Sequence, residues 1–98
     1  MFKLVKVTGN SMSPTLEDGD YVITKKPRLL QAGLIYVINH SDLGRIIKRL
    51  QDSKDDRYSF VGDNPKASTP SNLIGVVERE RIAGQVIWII GPKGLRRP

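Results

Sequence analysis

Apolar residues in this chain come in short runs rich in β-branched side chains, and most runs stop at Gly, Pro, Asn or Asp. Repeats at the 3.6-residue period of an amphipathic helix are almost absent. That spacing predicts an all-β fold, with strands over Phe2–Thr8, Tyr21–Thr24, Leu34–Ile38, Arg45–Leu50, Arg57–Val61 and Gln85–Ile90. Turn residues at Gly9-Asn10, Glu17–Asp20, Gly62–Pro65 and Gly91-Pro92 separate them. Arg45–Leu50 is placed to pair with Leu34–Ile38 as a hairpin across Asn39–Gly44. Two segments do not read as strands. Ser11–Leu16 reads as one helical turn, with Ser13 as N-cap and Pro14 at the first helical position. Pro65–Asn72 reads as a Pro/Ser loop. The basic tail Gly91–Pro98 is expected to fray.

A length of 98 residues is one domain, residues 1–98, with no room for a second core. A chain of this size buries roughly 60–70% of the surface its unfolded form exposes, enough to fold without staples. There is no cysteine, which excludes disulfides, thiolate metal sites and thiol nucleophiles. A single His excludes a multi-His metal site within one chain. No cofactor and no resident metal are expected. The formal charge of +6 raises nucleic acid or an anionic surface as partners. The basic residues are spread along the chain, however, so a solvated basic surface is the simpler reading and nucleic acid is not expected. The longest uncharged stretch, Leu29–Ser41, is too short and too polar to span a bilayer, and Lys3 and Lys6 interrupt the N-terminal run. The expectation is a cytoplasmic protein without a transmembrane anchor.

Three side chains could carry chemistry. Ser11 sits between Gly9-Asn10 and Pro14, at a strand-to-turn junction where backbone N–H groups can converge as in an oxyanion hole. A serine there is also an ordinary turn former. A nucleophilic serine needs a base. His40 is the only imidazole, and Asp42 is near it, but Asn39–Asp42 reads as an exposed hairpin tip, a poor place for an oriented imidazole. Lys48 is the other candidate. Strict alternation puts it on one face with Ile46 and Leu50, where burial would favour the neutral amine. The same pattern is compatible with a lysine whose head reaches solvent. Arg49 cannot serve, because a guanidinium stays protonated. Asp63, before Asn64-Pro65, reads as a turn cap and not as a metal ligand.

Taken together, these segments resemble a known group. Gly9-Asn10-Ser11-Met12-Ser13-Pro14-Thr15-Leu16 resembles the nucleophile box of the Ser/Lys peptidases, which include type I signal peptidases and the self-cleaving SOS and phage repressors. Ile47-Lys48-Arg49 resembles the box of the lysine base, and Phe60-Val61-Gly62-Asp63-Asn64 with Ser68 and Gly75 resembles the box that closes the site. Ile82-Ala83-Gly84-Gln85-Val86 is similar to the strand that follows. The boxes occur in the group's order over about residues 5–91. The resemblance implies a small domain of coiled antiparallel sheets, with Ser11 as nucleophile and Lys48 as general base. It implies that the Ser68 hydroxyl orients the lysine and that Met12 shapes the substrate pocket. Some signal peptidases place an oxyanion-binding serine two positions before the nucleophile. Gly9 stands there in this chain, so a backbone N–H is expected instead.

Two departures stand out: Pro70 and Asn72 occupy places where the group usually has Asp and Arg, and the Pro-Gly-Asp stretch after the lysine box is absent. By size, the chain is most similar to the small maturation peptidases of nickel-type superoxide dismutase. That likeness implies a precursor polypeptide with a short N-terminal leader as partner, cleaved in trans. The other readings are a self-cleaving repressor-like or mutagenesis-type protein, and a basic binding module that keeps the fold without catalysis. Self-cleaving relatives cut, often at Ala-Gly, on an arm before the nucleophile. Here Ala32-Gly33 and Ala83-Gly84 both come after Ser11.

Overall fold

Eight strands form a single antiparallel sheet in the computed structural model, which describes residues 1–67 and 69–98. The strands are β1 (Phe2–Lys6), β2 (Tyr21–Lys25), β3 (Ile35–His40), β4 (Gly44–Lys54), β5 (Arg57–Val61), β6 (Val76–Glu78), β7 (Ile82–Gly91) and β8 (Gly94–Arg96). A one-turn helix, α1 (Ser71–Ile74), precedes β6, and a 3-10 turn, Arg79–Arg81, precedes β7. The order across the sheet is β1-β2-β7-β3-β4-β5-β6, and β8 pairs with the end of β7. The all-β reading and its six long strands hold. The hairpin is also present, with Ile35 opposite Arg49 and His40 opposite Gly44.

Two apolar clusters fill the fold, and β3 is the wall between them. Ile35 and Val37 pack into the first with Val5, Val22, Val86 and Ile89. Tyr36 and Ile38 pack into the second with Leu50, Phe60, Ile74 and Ile82. Successive strand side chains point to opposite faces, so a strand buried on both reads as the unbroken run Ile35–Ile38. The first cluster also takes Met12 and Leu16, both essentially fully buried. The loop that carries Ser11 is therefore anchored in the core from both sides of Pro14.

Three local expectations are corrected. Ser11–Leu16 is a run of turns and not a helix: Leu16 N–H bonds Met12 O at 2.9 Å, the Ser13–Pro14 peptide is cis, and the Ser13 hydroxyl donates to the Glu17 carboxylate instead of capping. The Pro/Ser loop contains α1, because the Pro70 carbonyl accepts the N–H groups of Leu73 at 2.9 Å and Ile74 at 3.2 Å. The tail does not fray as expected. It turns at Pro92-Lys93 and returns as β8, Arg96 donates to the Thr15 carbonyl at 2.9 Å, and the Arg97 guanidinium lies 4.9 Å from the Trp88 ring centre. No helix among the described residues is long and apolar enough to cross a membrane.

Candidate active site

Ser11 and Lys48 line one open cleft of about 520 Å³. Its walls are the end of β1 with the following residues Val7–Met12 on one side, and Arg45–Lys48 of β4 on the other. Ala67 and Thr69 border it too. Ser68, expected to orient the lysine, lies outside the described residues.

The Ser11 loop is held at both ends. Gly9 takes a φ of +84°, a conformation glycine reaches without steric cost, and its N–H donates to Asp18 Oδ1 at 2.7 Å. With its N–H on that carboxylate, Gly9 shapes the turn before Ser11. At the far end, Asp20 is buried; its Oδ2 accepts the Glu17 N–H at 2.9 Å and lies 3.6 Å from the Arg96 guanidinium. Met12 lines the cleft while its side chain is buried in the first cluster, so it contributes to the pocket wall and anchors the residue next to Ser11 at once.

Lys48 is 3% exposed. It shares strand parity with Ile46 and Leu50, which pack against the second cluster. Burial penalises the ammonium form and lowers its pKa from the usual lysine value. Its neighbour Arg49 has the opposite parity and keeps its charge in an ion pair. That pair is the part of the site that the sequence did not disclose.

The pair's acceptor is Asp63, which is not the turn cap expected. Arg49 Nε donates to Asp63 Oδ1 at 2.8 Å and Nη2 to Oδ2 at 2.7 Å, a two-pronged contact, and the Thr15 hydroxyl donates to Oδ2 at 2.6 Å. The Asp63 N–H points to Met12 Sδ at 3.4 Å, and the Asn64 N–H donates to the Ser11 carbonyl at 2.9 Å. The Asn64 side-chain amide reaches the Asn10 carbonyl at 3.1 Å. One dipeptide thus ties the Ser11 loop to the strand that carries Lys48. The Arg49 hydrogen bond and, less strongly, the Thr15 hydroxyl hold the Asp63 carboxyl below its usual range against the opposing effect of burial. A depressed carboxyl contributes stability at pH values above its unfolded value, near about 3.9, and loses it as the pH falls through the folded value. Asp63→Asn should lower the unfolding free energy at neutral pH by about 1–3 kcal/mol. Urea unfolding at pH 7 and at pH 3 checks this: the gap between wild type and variant should be wide at the first and narrow at the second, and equal midpoints at pH 7 would count against the clamp.

His40 has another task. Its Nδ1 accepts the N–H groups of Asp42 and Leu43, each at 3.0 Å, which puts the ring proton on Nε2, 2.7 Å from the Ile74 carbonyl. Both ring nitrogens are thus occupied in bracing the hairpin tip and the end of α1. His40 does not line the Ser11 cleft. Pro70 caps α1 through its carbonyl, and Asn72 is exposed, so neither supplies a charged wall beside Lys48.

Half of this arrangement, two polar residues facing one cleft, can support acyl transfer: a hydroxyl nucleophile and an amine biased towards its neutral form. Against known families, a model described as Peptidase S24-like matches residues 2–87. No curated protein matches the chain.

Proposed function

The chain belongs to the Peptidase S24-like family, and from that premise we propose that it is a serine endopeptidase with a Ser11/Lys48 dyad. The observation that carries this reading is that Ser11 and the buried Lys48 line the same cleft. In this reading Ser11 Oγ attacks the scissile carbonyl and its proton passes to Lys48 Nζ. The C–N bond then breaks, with the Lys48 proton going to the leaving amine. Water then attacks the acyl-enzyme, giving a proton to Lys48, which passes it to Ser11 Oγ as the ester bond breaks. In this reading Ser68 orients the lysine, a role that rests on the resemblance of its box.

The substrate binds as an added strand. Among the described residues β1 pairs only with β2, and β5 pairs with β4 from Arg49 onward, so the cleft lies between β1 and a stretch of β4, Arg45–Lys48, whose strand partner there is β3. Unpaired backbone on such an edge is suited to an extended peptide. The partner is a precursor polypeptide carrying a short leader and cleaved in trans; the precursor of nickel-type superoxide dismutase is the case that resemblance favours. Cleavage in trans is supported by the state of the two internal Ala-Gly pairs. Gly84 lies within β7, opposite Val37, and Gly33 is tied by its N–H to the Leu50 carbonyl at 2.8 Å and by its own carbonyl to Arg49 at 2.6 Å. Neither is an extended arm.

Fluorogenic peptides with small residues on both sides of the scissile bond test the reading. Cleavage at one bond, with a rate proportional to protein concentration, is expected. Fragments of the protein itself, appearing at a rate independent of its concentration, would point to a self-cleaving repressor type. No cleavage of peptide or self, and no labelling of Ser11 by a serine-reactive phosphonate, would leave a binding module.

A further inference from the structure

The outward faces of β1, β2, β7 and β8 form a surface whose apolar residues do not line the cleft. Val5, Val22 and Ile89 lie in register and are buried in the first cluster, so their neighbours in sequence point the other way. Leu4 stands opposite Ile23, and Ile23 opposite Trp88. A second row runs from Tyr21 through Ile90 to Leu95. Leu4 is 62% exposed, Leu95 59% and, at the end of β1, Phe2 67%. Exposed apolar residues scattered singly are ordinary, but a continuous band across several strands marks a docking face.

Charge decides what docks there. These strands contain no Asp or Glu, while Lys6, opposite Tyr21, and Lys25, opposite Phe2, lie on the same face and Arg97 covers Trp88. A second copy of the same face would bring like charges together. An anionic lipid surface complements it, with the apolar side chains entering the headgroup boundary and the lysines meeting phosphate. Trp88 and Tyr21 suit that depth, each with an apolar body and a polar tip. We propose that this face binds reversibly to anionic membranes. Lys6 also lines the cleft, so docking would set the active site beside the lipid surface. The inference does not depend on the cleavage reading.

Trp88 is the only tryptophan, so its fluorescence reports the face directly. Vesicles of phosphatidylglycerol mixed with phosphatidylcholine should shift its emission to the blue and carry the protein down on sedimentation. Phosphatidylcholine alone should do neither, and about 0.5 M salt should reverse the binding. Leu4→Ser with Leu95→Ser, both at exposed positions, should weaken binding about tenfold or more, as should Lys25→Glu, with far-UV CD unchanged. Three results would overturn the proposal: no binding to the mixed vesicles, equal binding to both vesicle types, or a blue shift that grows with protein concentration without lipid. The last would assign the face to a second copy of the chain.

Discussion

Ser11→Ala should abolish peptide cleavage, lowering kcat/KM by at least about 10,000-fold, because the substitution removes the atom that forms the covalent bond. The fold should survive it. Ser11 sits half-buried in a run of turns, and its bond to the Asn64 N–H runs through the main-chain carbonyl, which alanine retains. The flanking anchors, Met12 and Leu16 in the core and Gly9 on Asp18, are untouched. Stability should therefore change by no more than about 1 kcal/mol. Cleavage assays on the variant, with thermal unfolding as the control, read both halves. Wild-type cleavage by a folded Ser11→Ala protein would remove Ser11 from the mechanism.

Half-buried strands were readable because the alternation of their side chains is written locally; β5 is an example, and Lys48 could be placed on an apolar face by the same rule, while β3, buried on both faces, was readable as an unbroken apolar run. Short edge strands carry no such pattern. β6 has three residues, and β8 is a Gly-Leu-Arg segment beyond a Gly-Pro pair, which by composition reads as a loose end. Its order comes from contacts distant in sequence, Arg96 on Thr15 and Asp20, and Arg97 on Trp88. Asp63 failed for the same reason. Its local context, Gly-Asp-Asn-Pro, is that of a turn, while its partners Thr15 and Arg49 come from two other parts of the chain. The available signal was that Asp63 and Arg49 each fall inside a box of the resemblance. His40 was correctly placed at a hairpin tip, but the Ile74 carbonyl that occupies its ring had no trace in the neighbouring sequence.

Burial of Lys48 has two consequences that pull in opposite directions. It favours the neutral amine that a general base requires, and it costs stability whenever the amine is charged. A lysine whose folded pKa is lowered binds fewer protons folded than unfolded, so its penalty is present at neutral pH and fades as the pH rises through the folded value towards the unfolded one. Lys48→Met, which fills similar space without an ammonium, should be inactive yet unfold at a higher temperature than wild type at neutral pH. It also separates loss of the base from loss of the fold, since Lys48→Arg places a larger group at a site only 3% exposed.

The dyad is tested most directly by kcat/KM against pH for wild type, Lys48→Arg and His40→Ala on one peptide substrate. Wild-type activity should be low at acid pH and rise along a single ionisation below about 10.4, the ordinary lysine value, because only the neutral amine accepts the Ser11 proton. Lys48→Arg should fall by about 1,000-fold or more at every pH, since its guanidinium does not deprotonate. His40→Ala should keep the wild-type profile while losing about 1–2 kcal/mol of stability with the Ile74 contact. A Lys48→Arg enzyme that cleaves with the wild-type profile, beside a folded but dead His40→Ala, would contradict the Ser11/Lys48 assignment outright.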